Sequence, residues 1–265
     1  MPQNRHKENQ ELMTFGGHLE VFRQMIFRIL VVAGVISMVV FYFKNVTWNI
    51  LLAPSEWDFC TYRWIENIVC SIGMGFHFEE YHVNLIATDL SSQFMTHIST
   101  ACYMGLLGAS PYVLYELFHF ITPALYENER QYSVRVAGTI YLLFIIGVLM
   151  SYFILFPISF RFLGTYSVSK RVVTNITLDS YISTFISLTL VMGIVFQLPV
   201  IVFFLAKMEI ITKELLSQYR RHAFVIIMMI AAIITPPDLM TLILVTIPLY
   251  LLYEISIRVV AWVEH

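Results

Sequence analysis

Long apolar runs separated by short polar stretches dominate the chain. Three runs, at residues 98–115, 136–160 and 181–206, contain no charged residue, and a fourth at 26–43 contains only Arg28. An α-helix rises about 1.5 Å per residue, so about 20 apolar residues cross a hydrocarbon core of roughly 30 Å. The pattern therefore predicts four membrane-spanning helices.

Two further apolar runs, at 223–234 and 239–253, are shorter and meet at a Thr-Pro-Pro-Asp turn, residues 235–238. A helix of twelve residues covers only about 18 Å. These runs form either a re-entrant hairpin or two short spans that thin the bilayer or face a polar cavity, and we favour short spans. The prolines end the fifth helix, and Asp238 is positioned to cap the sixth.

The whole pattern predicts an all-α integral membrane protein with a single polytopic domain. Its six transmembrane helices, of which the fifth and sixth are short, lie at about residues 24–43, 94–120, 134–160, 180–206, 219–235 and 238–257. Residues 44–93 are mixed in character and contain Trp48, Trp57 and Trp64, as is typical of helices that lie at a membrane surface. We expect this segment to form an external helical cap.

The positive charges indicate the orientation of the six spans. Of the 16 Lys and Arg residues, 11 lie in the N-terminal segment, the 121–135 and 205–222 loops and the C-terminal end. Because Lys and Arg concentrate on the cytoplasmic side, both termini are predicted to be cytoplasmic. The remaining five are on the predicted external side, at Lys44, Arg63, Arg161, Lys170 and Arg171.

Composition agrees with a membrane protein and limits the function. Hydrophobic residues make up 58% of the chain and charged residues 13%, and the formal net charge of −2 argues against nucleic-acid binding. The polar N-terminal segment precedes a long apolar run without a small-residue cleavage site, which indicates a bacterial plasma membrane protein without a secretory signal peptide. The three cysteines have no metal-binding spacing, so a metal is not expected.

Two other functional classes compete on this pattern alone. An ion-coupled small-molecule transporter would carry inverted repeats of broken helices around midplane charges, which the chain does not show. An intramembrane enzyme would carry paired Asp, HExxH or GxSxG in a span, and none occurs.

Six sequence blocks, in order and at suitable intervals, resemble the TatC family, the multi-spanning core of the twin-arginine protein translocase. They are GHLEVFR at 17–23, LLAP at 51–54, LIATDLSSQF at 85–94, PYVLYELFHFITPALYENER at 111–130, FQLPV at 196–200 and TPPDLMTLILVTIPLYLLYEISI at 235–257. The resemblance implies a six-helix, glove-like concave protein that binds twin-arginine signal peptides of folded proteins at its cytoplasmic face. It also implies TatB-like and TatA-like single-span partners, self-association in the bilayer, transport driven by the protonmotive force, and no cofactor.

The resemblance further implies where signal peptides bind. Glu129 matches the family carboxylate that recognises arginine, and Glu127, Arg23 and Phe120 are candidate neighbours. A carboxylate suits this task because guanidinium groups pair with carboxylates bidentately. On the residues alone, Glu127 and Arg130 are a solvated i,i+3 pair.

The N-terminal part of the predicted site departs from the family pattern HLxELR. This chain has Val21 at the expected glutamate position, and Glu20 lies one residue earlier. One residue is a rotation of about 100° on a helix, so Glu20 serves only if the segment is turned or is not a rigid helix there.

Two polar residues in the spans are singled out, Gln197 and Glu116. The family often carries a glutamate at the position of Gln197, so the resemblance implies that proton exchange at this place is absent here. Gln197 either holds water in a concave face or bonds a neighbouring helix. Glu116 and His119 are spaced to touch each other or to reach the membrane interface.

Further residues are predicted to have structural or functional roles. For Glu254, Arg258 at i+4 is a candidate partner. A disulfide between Cys60 and Cys70 in the external cap is a hypothesis that the oxidising side of the membrane permits. The full set with predicted structural or functional roles is Pro54, Asp89, Pro123, Tyr126, Pro236, Pro237, Asp238 and Glu254.

Overall fold

The computed structural model describes residues 15–71, 73, 80–81, 83–121, 133–167, 169 and 174–263. These residues are mostly α-helical, and four stretches of helix are long and apolar enough to cross a membrane. They are Leu19–Tyr42, Ala137–Thr165, Leu178–Lys207 and Leu239–Val263. The protein is therefore a helical membrane protein.

The described chain packs as two compact units. The first comprises the described parts of Met1–Tyr42 and Ala101–Gly138, and the second those of Phe43–Thr100 and Thr139–His265. Helix α1 (Phe15–Tyr42) and most of helix α4 (Ser92–Ile121) belong to the first unit.

In the first unit, α1 and α4 pack closely because α4 carries glycines at the contact. A Cβ atom on Gly105 would lie 2.7 Å from the Ser37 backbone, and one on Gly108 would lie 3.0 Å from the Ile36 side chain. Only a residue without a side chain allows the two backbones to approach so closely at Gly105.

The helices of the second unit follow the chain from Lys44 onward. They are α2 (Lys44–Leu52), α3 (Cys60–Ser71), α5 (Ser133–Met150, in the second unit from Thr139), α6 (Phe156–Thr165), α7 (Leu178–Val195), α8 (Leu198–Lys207), α9 (Lys213–Gln218), α10 (Arg220–Ile234) and α11 (Leu239–Val263). A 3₁₀ turn, Ala53–Ser55, follows α2, and a π-helical turn, Ser151–Leu155, joins α5 to α6.

The all-α expectation misses one short pairing in this unit. Strand β1 (Leu85–Ile86) pairs in parallel with strand β2 (Ile176–Thr177). The pairing is only two residues long, so it ties two connecting segments together without forming a sheet that could stand alone.

The C-terminal end of α2 has a hydrogen-bond donor for each of its last four carbonyl groups. The hydroxyls of Tyr152 and Tyr181 donate to Ile50 and Leu51, both at 2.7 Å. The Asn49 carbonyl accepts from the Ala53 N–H, and the Leu52 carbonyl accepts from the Ser55 hydroxyl. Because a helix leaves these carbonyls without internal partners, two tyrosines from the long helices hold the start of the predicted cap in place.

The π-helical turn makes a second connection to this segment. The Thr61 hydroxyl, from α3, donates to the carbonyl of Phe153 inside the turn. A π-helical turn disturbs the regular backbone bonding of a helix, so a side chain from another helix can bond there. Helix α3 is thereby attached to the junction of α5 and α6.

An aromatic cluster forms the core around this junction. The Phe156 ring meets the Tyr181 and Phe185 rings edge-on, each at 5.0 Å between centroids, and Phe160 meets Tyr181 in the same way. Edge-to-face geometry is favoured by the ring quadrupoles and adds about 0.5–1.5 kcal/mol per pair beyond burial.

The expected shortness of the fifth and sixth helices is correct for only one of them. Helix α10 has 15 residues, whereas α11 has 25 and continues past the apolar run to Val263. The sixth span was predicted to end at residue 257, but Glu254 has partners in the protein and α11 continues six residues further.

The hypothesis of a disulfide between Cys60 and Cys70 is wrong. Both residues lie on α3, and none of Cys60, Cys70 and Cys102 is in a disulfide. Ten residues of helix separate them by about 15 Å, whereas a disulfide requires Cα atoms within about 7 Å.

We therefore expect alkylation to label the same number of thiols with and without prior reduction. Intact-mass measurement of the purified protein would check this result. An increase of two labels after reduction would contradict the helical spacing of the two cysteines.

We expect Tyr181→Phe to lower stability, because the buried Leu51 carbonyl would lose its donor at a cost of about 1–3 kcal/mol. Thermal unfolding in detergent would report the change as a lower midpoint. Tyr166→Phe is the matched control, since Tyr166 is 63% exposed. Equal midpoints for the two variants would show that the α2 connection contributes little.

Candidate functional site

The N-terminal part of the predicted site lies on the first turns of α1. The Arg23 guanidinium donates to Glu20 Oε1 at 2.7 Å, and the Gln24 amide donates to the same oxygen at 3.3 Å. The side chains of Arg23 and Glu20 are 76% and 50% exposed, so this ion pair is screened by solvent and stabilises little. Glu20 is therefore accessible, and a competing cation can displace Arg23 from it.

The segment is helical at Glu20, so its displacement from the family position is a real rotation and not the effect of a local loop. Val21, at the expected carboxylate position, is exposed and apolar. Glu20 and Val21 point in directions that differ by about 100° around α1.

The loop part of the predicted site follows α4 directly. Glu129, Glu127, Pro123 and Tyr126 lie outside the described residues. Phe120, in the last turn of α4, packs against Phe22 of α1 with 5.7 Å between ring centroids. This contact brings the N-terminal part of α1 to the end of α4 from which the 122–132 segment continues.

Glu116 is a buried carboxylate on α4, with 8% of its surface exposed. It accepts a hydrogen bond from the Tyr112 hydroxyl at 2.7 Å, and Arg28 of α1 lies 3.6 Å from the same oxygen. His119, which the sequence places either against Glu116 or at the membrane interface, stacks on Tyr115 with 6.0 Å between centroids. Arg28, the one charged residue in the 26–43 apolar run, is the cationic partner of Glu116.

Gln197 lies in the turn between α7 and α8, where Pro199 interrupts the long helix. Its amide donates to the carbonyl of Ile140 on α5 at 3.1 Å. Of the two sequence-based interpretations, the structure therefore supports the bond to a neighbouring helix. A glutamate there could make this bond only when protonated, since an ionised carboxylate is solely an acceptor.

Asp238 caps α11 as expected. Its Oδ1 atom accepts from the backbone N–H of Thr241 at 2.7 Å, which is the geometry of an N-cap. Pro236 and Pro237 separate α10 from α11, with Thr235 as the last residue before them. The turn therefore ends one helix and begins the next within four residues.

The expected pairing of Glu254 with Arg258 is wrong. Glu254 instead meets Arg220 at the first residue of α10, with 3.1 Å between Oε1 and Nε. The Tyr250 hydroxyl also donates to Glu254 at 3.2 Å, and the Tyr253 hydroxyl donates to the Leu216 carbonyl on α9 at 2.7 Å. Tertiary packing provides Glu254 with a cation from another helix, so the neighbour at i+4 is not needed.

Pro54 and Asp89 lie in the segment predicted to be the external cap. Pro54 is buried in the 3₁₀ turn, and its carbonyl lies 3.4 Å from the Tyr62 hydroxyl. The Asp89 backbone carbonyl accepts from the Ser92 N–H at the start of α4. Both residues therefore have structural contacts, and a direct functional role stays a prediction.

Sequence reasoning missed a cluster around Arg161 in this unit. The guanidinium lies 4.9 Å from the Tyr62 ring centre and 4.5 Å from that of Tyr81. Tyr62 donates to the Pro157 carbonyl at 2.8 Å, and the Tyr81 hydroxyl is 3.1 Å away. Burial raises the pKa of both phenols above the ordinary tyrosine range, so the two hydroxyls stay neutral beside the cation.

Sequence signals for the missed contacts were partial. Arg28 interrupts an apolar run and Glu116 directly follows one, and charges at such places are costly unless they pair. The pairing of Arg28 with Glu116 could therefore have been predicted from the sequence. By contrast, Tyr62, Tyr81 and Arg161 come from three separated segments and have no shared spacing.

A metal centre is not apparent in the part of the chain that the structure describes. No three His, Cys, Asp or Glu side chains there come together in a group that could hold an ion. The described polar contacts include ion pairs and hydroxyl–carbonyl bonds, which join neighbouring helices.

Comparison with known proteins agrees with this arrangement. The family model described as Sec-independent protein translocase protein (TatC) matches residues 17–248. A TatC protein of Blattabacterium from Periplaneta americana is 34% identical over 262 residues, which cover 97% of this chain and 98% of that protein. The TatC protein of Escherichia coli K12 is 30% identical over 251 residues, covering 95% and 88% of the two chains.

A solved structure gives the same result for the fold. The crystal structure of a twin-arginine translocase receptor, TatC, matches with a TM-score of 0.74 and 31% sequence identity, covering 94% of this chain and 100% of that one. The family model and the relatives cover nearly the whole chain, which therefore belongs to the TatC family of Sec-independent protein translocase proteins.

Proposed function

We propose that this TatC protein binds twin-arginine signal peptides of folded proteins at its cytoplasmic face and nucleates the translocation complex. The observation that carries the proposal is the family match across residues 17–248, which includes both predicted carboxylate segments. The family is a protein translocase, so the alternative of an ion-coupled small-molecule transporter has no support.

The chemistry of the two segments fits a peptide with two adjacent arginines. Glu20 is accessible, and among the described residues its ion-pair partner is Arg23 from the same helix turn. A guanidinium from a signal peptide can replace Arg23 with a bidentate pair, which a lysine ammonium cannot form. Glu129 supplies the second carboxylate. It follows the last residue of α4 by eight residues, which span at most about 29 Å, so it belongs to the same region as the end of α4.

The contact between Phe22 and Phe120 supports a common site in the first unit. It joins the turn of α1 that carries Glu20 to the end of α4 that precedes Glu129. Glu127, Arg23 and Phe120 are the proposed neighbours, of which Phe120 offers an apolar surface beside the charged groups.

The remaining features of the proposal concern the membrane and the assembly. We infer six spans in a glove-like concave arrangement in a bacterial plasma membrane, with both termini cytoplasmic. TatB-like and TatA-like single-span subunits are the proposed partners, together with further copies of the chain. Transport is driven by the protonmotive force, and Gln197 takes no part in proton exchange because an amide does not titrate in this range.

We expect Glu129→Ala to abolish the preference for arginine over lysine, and Glu20→Ala to weaken it. Site-specific crosslinking to signal peptides that differ only in an Arg-Arg or Lys-Lys pair would measure the preference, and export of a folded reporter would measure function. Glu214→Ala is the control, because Glu214 is an exposed carboxylate on α9, in the other unit. Full export and an unchanged arginine preference in Glu129→Ala would exclude the proposed site.

A further inference from the structure

We propose that Glu116 and Arg28 are a positioning pair that fixes the rotation of α1 against α4, and thereby the direction in which Glu20 is presented to a signal peptide. This inference rests on the proposed function and deepens it. It assigns a role to two charged residues that lie within or beside apolar runs and do not belong to the recognition site itself.

The buried carboxylate of Glu116 needs a charged partner. Glu116 is 8% exposed within an apolar helix, where an unpaired charge is unfavourable by several kcal/mol. Its partners are the Tyr112 hydroxyl on the same helix and the Arg28 guanidinium on α1. Because Tyr112 provides no charge, the neutralising partner comes from the other helix, and the pair connects α1 to α4.

Helices α1 and α4 meet along an antiparallel interface. Contacts follow one another in antiparallel order along the interface, with Phe22 opposite Phe120, Arg28 opposite Glu116, and Ile36 opposite Gly108. The glycine contacts set the distance between the backbones and the face of α1 that meets α4, and the ion pair adds a charged contact nearer to Glu20.

The outer face of α1 does not oppose a rotation of the helix. Phe27, Leu30 and Met38 are 67%, 64% and 78% exposed, and all three are apolar. Lipid accommodates these side chains equally well at neighbouring angles. The ion pair between Arg28 Nη1 and Glu116 Oε1, 3.6 Å apart, therefore favours one rotation of α1 over the others.

The rotation of α1 determines the direction in which Glu20 faces a signal peptide. Glu20 lies eight residues before Arg28 on the same continuous helix, a separation of about 12 Å. Rotation at Arg28 therefore turns Glu20 as well. Since the Glu20 position already differs by about 100° from the family position, its use in recognition depends closely on the angle of α1.

The test uses charge reversal in the full-length protein. Glu116→Ala and Arg28→Glu are each expected to reduce the arginine preference of signal-peptide binding by about tenfold, which corresponds to ~1.4 kcal/mol. The double variant Arg28→Glu/Glu116→Arg restores the pair with opposite polarity and is expected to recover most of the preference. Glu116→Gln, which keeps the shape of the side chain, is expected to give a smaller loss and tests the charge if the reversals do not fold.

A second measurement reports the helix contact without any peptide. Cysteines replace Phe22 and Phe120 in a background where Cys60, Cys70 and Cys102 are serine, and a short bifunctional thiol reagent joins them. Crosslinking should fall when the Glu116–Arg28 pair is broken and recover in the charge-swapped protein. Glu254→Gln, which breaks the ion pair with Arg220 in the other unit, is the control and should leave it unchanged.

The two measurements separate the possible failures. Wild-type protein that shows no arginine preference would contradict the proposed function, and the inference would fall with it. If wild-type protein prefers arginine but the single variants leave the preference or the crosslinking unchanged, the positioning role is wrong and the proposed function stands. Failure of the charge swap to restore both measurements would also overturn the positioning role.

Discussion

In a chain whose helices face hydrocarbon, polar groups have to find their partners inside the protein, because no water is present to solvate them. The described contacts that hold the helices together follow from this constraint. Tyr152 and Tyr181 donate to the end of α2, Thr61 donates to the π-helical turn, and Gln197 donates to α5. Among the described residues a few small hydroxyls, such as those of Thr100 and Ser110, are buried without a hydrogen bond, and we have no physical account of them.

The same constraint explains why charged residues within or beside apolar runs pair across helices. Glu116 meets Arg28, and Glu254 meets Arg220, although each glutamate also has polar residues nearby in its own helix. A partner on another helix neutralises the charge and also joins two elements, whereas a partner on the same helix only neutralises it. In both cases the ion pair lies where two helices approach each other.

A structural feature could be predicted from the sequence when it depends on a local residue pattern, but not when it depends on contacts between distant segments. Apolar runs predicted a helical membrane protein, and the Pro-Pro-Asp turn predicted the cap of α11, because both signals are local. The length of α11, the partner of Glu254 and the separation of Cys60 from Cys70 were missed. Each of these depended on a partner or a helix length that local composition does not encode.

In the candidate site, too, the sequence pattern identified the residues, whereas their contacts came from the structure. These contacts affect how Glu20 binds a signal-peptide arginine. The six motif blocks led to the family, but only the helical geometry shows that Glu20 pairs with Arg23 at i+3. A carboxylate at position 21 would be separated from Arg23 by about 200° around the helix. Moving the carboxylate by one residue therefore gives it an internal arginine partner. A signal-peptide arginine has to compete with Arg23 for Glu20, and because the exposed pair is weak, this competition lowers the affinity at Glu20 only modestly.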